Sequence, residues 1–306
     1  MRVVFMGTPD IAATCLSRLL QTEHEIIGVY TKPDMPKNRG MKLEMSDVKK
    51  VALAAELPVY QPTSFRDDAV YEELKALQPD VIAVVAYGKI LPQRVLDIPR
   101  LGCVNIHASV LPELRGSGPV QWAILNGMDE TGVTAMYMAA EMDAGDIIEI
   151  RKTPIEPYEN AQSLLDRLAL IGGELLCDTL RAMEQGSVTR TKQDESKVTF
   201  APMLSKALCP IDWSKGKREI IDHVRGLDPW PVATTEIQGK RFKIYAVRPT
   251  EEITDKEPGT LLGVNKQGLL VACGGGDVLV ITVLQAEGGK RMPAPDYFRG
   301  HPLDVE

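Results

Sequence analysis

The sequence predicts an α/β chain: a mostly parallel sheet covered by helices on both faces, followed by a small C-terminal β-barrel of OB-like form. Three observations carry this reading. The first half alternates short β-rich runs with helix-patterned segments, as βα units do. Within it, residues 81–86 are almost wholly apolar, as a strand buried on both faces should be. Beyond Leu208 the pattern changes to short strand-like runs punctuated by glycine and proline, which is how a small barrel reads.

Each element has its own local reason. Residues 3–6 form a short apolar run that stops at Gly7, and residues 11–20 carry a helical period. Residues 26–30 make a second strand and 59–61 a weak third, with helices over 46–56 and 67–77. After the 81–86 strand, a turn at 99–102 leads into a strand over 104–107. Residues 131–138 and 147–150 are two further strands, paired as a hairpin across the 143–146 turn, and a helix over about 161–185 closes the domain. Residues 187–206 are polar, contain Pro202 and lack strong periodicity, so they read as a linker. Strand-like runs then follow at 242–247, 260–264, 269–272 and 278–283. The expected domains are residues 1–186 and 208–306, joined by a linker over 187–207.

Composition sets the outer limits. At 306 residues the chain exceeds a typical single domain, and its 44% hydrophobic and 25% charged content is ordinary for a globular protein. Aromatics at 5% argue against a broad base-stacking surface. A net charge of −7 excludes nucleic-acid binding through the whole surface, while leaving room for a local basic patch. The five cysteines are scattered, odd in number and without metal spacing, as free buried thiols in a reducing compartment would be. The first residues, MRVVFMGTPD, are too short an apolar run for a signal segment, and no stretch is long enough to span a bilayer. The expectation is a cytoplasmic protein with no membrane partner, and a monomer.

The glycine region MGTPD lacks the G-x-G-x-x-G spacing that lets a backbone approach a pyrophosphate, so it reads as a tight strand-to-helix turn. The richest stretch is residues 102–122, GCVNIHASVLPELRGSGPVQW. In a strand, Asn105 and His107 share one face while Val104 and Ile106 take the other. An amide and an imidazole near a strand's C-terminal end lie where open α/β sheets bind ligands. Burying them without partners costs roughly 1–3 kcal/mol each, which favours a site over chance. The loop that follows, with Pro112, Gly116, Gly118 and Pro119 around Arg115, is suited to presenting backbone groups as a pocket wall. Asp143, on the turn in EMDAGD, is either a turn-capping residue or a proton acceptor; spacing alone leaves both open. The four histidines give no zinc pattern, and Ser109 lacks the G-x-S-x-G elbow of a hydrolytic nucleophile.

These residues resemble the formyltetrahydrofolate-dependent transformylases. In that family an Asn-x-His strand is followed by Ser-Leu-Leu-Pro, an Arg-Gly turn and a later Asp-x-Gly turn. The matches here are Asn105-Ile106-His107, Ser109-Val110-Leu111-Pro112, Arg115-Gly116 and Asp143-Ala144-Gly145. Further stretches, FMGTPD at 5–10, TKPDMPKNRGMKL at 31–43, VVAYGKILP at 84–92, RLGCVNIHAS at 100–109 and DPWP at 228–231, are similar to the branch acting on methionyl initiator tRNA. The resemblance runs from Met1 to about Leu284. Val110 where leucine is usual and Gly118 where alanine is common are its small departures.

The resemblance implies a Rossmann-like catalytic domain and an OB-like tRNA-binding domain. It implies 10-formyltetrahydrofolate as co-substrate, leaving as tetrahydrofolate, with no metal. Ser109, Val110, Leu111 and Pro112 would contact the folate, and Asn105, His107 and Asp143 would form the catalytic trio. Asn105 and His107 would donate to the oxygen that gains charge as the amine attacks, a donor of that kind being worth about 3–4 kcal/mol. Asp143 would move the proton from the amine towards N10. The basic segment 32–50 would meet the tRNA acceptor end through Lys37, Arg39 and Lys42, although charge alone would also fit a solvated loop. A second basic cluster at 215–218, Arg225 and 240–243 would reach phosphates. Two other readings share these residues: a transformylase acting on a small amine such as an amino sugar nucleotide, and a non-catalytic RNA-binding protein on the same fold.

Overall fold

The computed structural model describes residues 1–37 and 42–303. The chain divides into two compact units. The first comprises Met1–Ser117, Thr131–Thr153 and Leu165–Ala201, and the second Gly118–Glu130, Pro154–Leu164 and Pro202–Glu306.

The first unit is built from β1 (Arg2–Gly7), α1 (Asp10–Leu19), β2 (Glu25–Tyr30), β3 (Met35–Lys37), β4 (Lys42–Glu44), α2 (Asp47–Ala54), β5 (Val59–Tyr60), α3 (Asp68–Ala76), β6 (Val81–Val85), α4 (Gln93–Leu96), β7 (Cys103–His107) and β8 (Arg115–Gly116). After α5 (Pro119–Leu125), which belongs to the second unit, come β9 (Glu130–Tyr137), β10 (Ile147–Pro154), α6 (Ala161–Glu184) and β11 (Phe200–Ala201). Seven strands form one sheet in the order β10-β9-β7-β6-β1-β2-β5. The pairs joining β5, β2, β1, β6 and β7 are parallel, and β9 is antiparallel to β7. From β1 the chain moves out through β2 to β5, then returns to the far side of β1 as β6 and β7. This reversal places a topological switch point between β1 and β6, the position where open α/β sheets leave a ligand crevice.

Local chemistry explains the elements. Strand β6 is buried at every residue, as its apolar run requires. The Asp67 and Ser46 side chains accept N–H bonds from Ala69 and Lys49, starting α3 and α2. Helix α1 buries Ile11, Ala12, Cys15, Leu16 and Leu19 on one face. It begins just after Gly7, where a Cβ would fall 2.6 Å from the Ala12 Cβ and 2.9 Å from the Val85 carbonyl oxygen. The MGTPD turn is thus a close-packing device between strand and helix.

Both faces of the sheet are covered. Val4, Met6, Ile82, Val84 and Cys103 pack with Leu74 of α3 and with Val95 and Leu96 of α4. On the other face, a Cβ on Gly172 of α6 would lie 3.0 Å from Ile106 and 3.7 Å from Cys15 of α1.

The second unit continues with α7 (Lys217–Gly226), β12 (Ala233–Ile237), β13 (Lys240–Ile253), β14 (Leu261–Val264), β15 (Leu269–Ala272), β16 (Asp277–Ala286), β17 (Met292–Pro293) and α8 (Ala294–Gly300). Its antiparallel sheet runs β12-β13-β16-β15-β14, with β17 on β16. Register shifts between β13 and β16 bend the long β13. Phe242, Ile244, Val247, Leu269, Val271, Ile281 and Leu284 form the core, against Val224 and Leu227 at α7 and Ala294 and Phe298 of α8. The two helices are elements that composition did not reveal.

All five cysteines are buried and unpaired. Burial pushes the Cys15 thiol up to about 12, helped by nearby Cys177, and pushes Cys103 to about 12, helped by Asp97. No helix among the described residues is long and apolar enough to cross a membrane. A thiol reagent at pH 8 should therefore label Cys15 and Cys103 only after denaturation, since the thiolate is the reactive form. Rapid labelling of the native protein at either position would contradict this packing.

Candidate active site

The period-2 alternation of β7 aims its side chains. Cys103 packs on the α4 side of the sheet and Ile106 against α6, so Asn105 and His107 project on the α4 side. They lie about 7 Å apart along the strand. Asn105 is half-buried, and among the described residues its carboxamide has no hydrogen-bond partner. Such a group, reached by solvent and unbonded to protein, is free to meet a ligand.

His107 is buried, with 6% exposure, and its ring is held at one nitrogen. Nε2 lies 3.0 Å from the Leu114 carbonyl oxygen. A carbonyl only accepts, so Nε2 carries the proton of that bond. Nδ1 then points to Asp143, with Oδ2 at 3.8 Å. That gap is too long for a hydrogen bond, so the carboxylate lies beside the ring without bonding it.

Backbone groups set the carboxylate. The Gly116 N–H donates to Asp143 Oδ2 at 2.8 Å. Gly116 has φ +120°, and a Cβ there would sit 2.7 Å from the Ala201 carbonyl oxygen, so only glycine fits. The constraint comes from β11, which pairs in parallel with β8, Ala201 opposite Gly116. Asp143 and Leu114 are themselves in the left-handed region, at φ +54° and +60°.

The turn after β7 is knitted together by one threonine. Thr134 of β9, opposite His107, donates its hydroxyl to the Ser109 carbonyl at 2.6 Å and accepts the Leu111 N–H at 3.1 Å. The Ser109 hydroxyl donates to the Glu113 carbonyl at 2.6 Å, and the Leu111–Pro112 peptide is cis. Of the four residues expected to meet the folate, Ser109 and Leu111 are buried, their side chains serving the turn, while Val110 and Pro112 are partly exposed. What this segment offers a ligand is a shaped edge.

The polar run read as a linker contributes to the same place. Gln193 accepts from Arg115 Nε at 3.0 Å and Nη2 at 2.8 Å, and donates to the carbonyls of Asp143 at 2.7 Å and Gly145 at 2.8 Å. Glu195 pairs with Arg115 at 2.8 Å. Thr199 accepts the Leu114 N–H at 2.9 Å. Gln193, Glu195 and Thr199 carry no local pattern, and their partners lie tens of residues away in sequence.

The basic segments are less open than their charge suggests. Lys37 and Lys42 are backbone register partners in the β3–β4 hairpin, while Arg39 lies outside the described residues. Lys49 bonds Asp34 at 2.7 Å and Gln61 at 2.8 Å, and the Lys49 and Gln61 bonds hold the Asp34 carboxyl below its usual range. In the second unit, Arg225 bonds Asp222 and the Glu156 and Glu159 carbonyls, Arg218 bonds Asp129, and Lys217 pairs with Asp277. The Arg225 side chain is nearly enclosed by its bonds, whereas those of Arg218 and Lys217 remain open to solvent. Lys240, Arg241 and Lys243 are exposed. Among the described residues no group of His, Cys, Asp and Glu is arranged to hold a metal ion.

Known families and structures resemble the chain along its length. A family model described as formyl transferase matches residues 1–180, and one described as formyl transferase, C-terminal domain, matches residues 203–302. The methionyl-tRNA formyltransferase of Clostridium novyi is 45% identical, over 100% of this chain and 99% of that protein. Among solved structures, the N-formyltransferase of Helicobacter canadensis, in complex with folinic acid and dTDP-3-aminofucose, superposes with a TM-score of 0.70 at 17% identity, covering 91% of this chain and 98% of that one. HypX of Aquifex aeolicus with tetrahydrofolic acid gives 0.69 at 20% identity; this chain is covered completely but spans only 48% of that protein. At these identities the two structures establish the likeness of fold.

The Thr134 bonds generate a prediction. Replacing Thr134 by Val keeps the shape but strands the Ser109 carbonyl and the Leu111 N–H in a buried turn, so stability should fall by about 2–4 kcal/mol in urea denaturation. An unchanged midpoint would show that the turn does not depend on this hydroxyl.

Proposed function

Because the chain belongs to the formyl transferase family, matched through both its parts, we propose that it transfers the formyl group of 10-formyltetrahydrofolate to the free amino group of methionyl initiator tRNA. The formyl donor acts as co-substrate and leaves as tetrahydrofolate. The reaction is cytoplasmic and the enzyme a monomer. The observation that carries the catalytic reading is the unpartnered carboxamide of Asn105 on the same strand face as an imidazole beside a carboxylate at 3.8 Å. This donor set fits the formyl group, whose carbonyl oxygen needs hydrogen-bond donors.

The chemistry makes three demands, and the chain has a group for each. As the methionyl amine attacks the formyl carbon, charge builds on the formyl oxygen, and the Asn105 N–H groups stabilise it. The attacking nitrogen must lose a proton and N10 must gain one as its bond to the formyl carbon breaks. Asp143, its Oδ2 oriented by Gly116, takes the first proton directly or through water and returns it to the leaving nitrogen. His107 spends Nε2 on the Leu114 carbonyl, so only its Nδ1 edge, 3.8 Å from Asp143 Oδ2, is left to face the reacting atoms. Val110 and Pro112 form the folate-facing edge, with Ser109 and Leu111 holding its shape. Lys37, Arg39 and Lys42 meet the acceptor end of the tRNA, and the exposed Lys240, Arg241 and Lys243 supply sequence-independent phosphate contacts.

The direct test mixes the protein with 10-formyltetrahydrofolate and methionyl initiator tRNA. Free methionine, elongator tRNA and an amino sugar nucleotide serve as controls. Formyl transfer confined to the initiator tRNA is expected; efficient formylation of the sugar nucleotide instead would reassign the acceptor. Asn105→Ala, His107→Ala and Asp143→Ala should each lower kcat by about 10²–10⁴-fold while tRNA still binds. Wild-type turnover in any of them removes that residue from the mechanism. Arg39→Ala should lower kcat/KM for the charged tRNA, most at low salt and less as salt rises; an unchanged value at low salt discards this assignment.

A further inference from the structure

The Asp143 turn is held from outside by a residue that its own segment does not supply. Asp143 sits at φ +54°, in the left-handed region that few side-chain-bearing residues other than Asn and Asp adopt. Gln193 bonds the turn in that state. Its amide donates to the carbonyl of Asp143 itself and to that of Gly145, at 2.7 and 2.8 Å. Its Oε1 accepts two bonds from Arg115, a guanidinium only 5% exposed. The amide orientation is unambiguous: reversed, it would set NH2 against a guanidinium and oxygen against two carbonyls. Gln193 therefore locks the backbone of the carboxylate-bearing turn to Arg115, the neighbour of Gly116, whose N–H fixes the carboxylate.

We infer that Gln193 is a positioning residue for the reaction, setting the place of the Asp143 carboxylate relative to His107. The inference rests on the role given to Asp143 above. Misplacement of a reacting group by about 1 Å costs on the order of 10²-fold in rate. Gln193→Met, close in shape but without the amide, should lower kcat by about 10- to 100-fold, leaving KM for both substrates within about twofold.

The decisive measurement is a double-mutant cycle in single-turnover formylation: wild type, Gln193→Met, Asp143→Ala and the double variant, each checked by thermal melting. If Gln193 acts through Asp143, its loss has no further effect once the carboxylate is gone, and the double variant matches Asp143→Ala. Gln193→Glu keeps the acceptor for Arg115 but turns an oxygen towards the two carbonyls. It should be as slow as Gln193→Met, and it carries the cycle if the methionine variant does not fold. Equal fold-losses from the Gln193 change in both backgrounds, or a wild-type kcat for the single variant, overturn the inference and leave Asp143 in place. A fast Asp143→Ala variant overturns the role of Asp143 and this inference with it.

Discussion

One hydrogen bond, from the Gly116 N–H to Asp143 Oδ2, joins the two loops on which the candidate chemistry depends. Asp143 arrives on the turn between β9 and β10, His107 at the end of β7, and nothing in the sheet ladder alone relates a carboxylate on one to an imidazole on the other. The bond requires a residue without Cβ at 116, because the Ala201 carbonyl of β11 occupies the space a side chain would need. It also requires Asp143 to accept a left-handed backbone. A glycine with no room for a side chain and a left-handed Asp143 are thereby combined for one defined carboxylate position, the kind of concentration of constraint found where geometry serves chemistry.

The rest of the fold supplies rigidity beneath that arrangement. Strand β7 lies inside the sheet, between β6 and β9, so its backbone has little freedom. Its alternation puts Ile106 into the α6 side of the core while keeping Asn105 and His107 on the other face. Thr134, buried opposite His107, gives up its hydroxyl to hold the turn that follows. Polar groups that are withdrawn from water here nearly all have partners. The half-buried Asn105 carboxamide, without a protein partner among the described residues, marks where a substrate oxygen belongs.

Much of this was legible in the sequence because it rests on local pattern. The apolar run at β6, the Asn-x-His alternation on β7 and the punctuated loop after it each express a short-range rule, and the structure keeps them in the expected places. What escaped depends on contacts between distant residues. Gln193, Glu195 and Thr199 stand in a polar stretch without periodicity, and only the folded chain shows that they grip Arg115, Leu114 and the Asp143 turn. The same holds for charge: Lys49 and Arg225 look available until Asp34 and Asp222 are seen beside them. Helix α7 was masked by its density of basic residues, which read as a binding patch, whereas Ile220 and Val224 bury its apolar face. His107 shows the finer limit. Its presence in the site was evident, but the commitment of Nε2 to a backbone carbonyl, which decides how the ring can act, is a fact of tertiary structure.

The central claim is that the amide of Asn105 and the His107–Asp143 pair address one reacting centre. A crystal structure with a stable formyl-donor analogue bound tests it most directly. The account predicts the formyl oxygen within about 3.2 Å of Asn105 Nδ2, with Asp143 beside the face open to an incoming amine. A formyl group seated away from the end of β7, with Asn105 bonded to nothing but solvent, would contradict it.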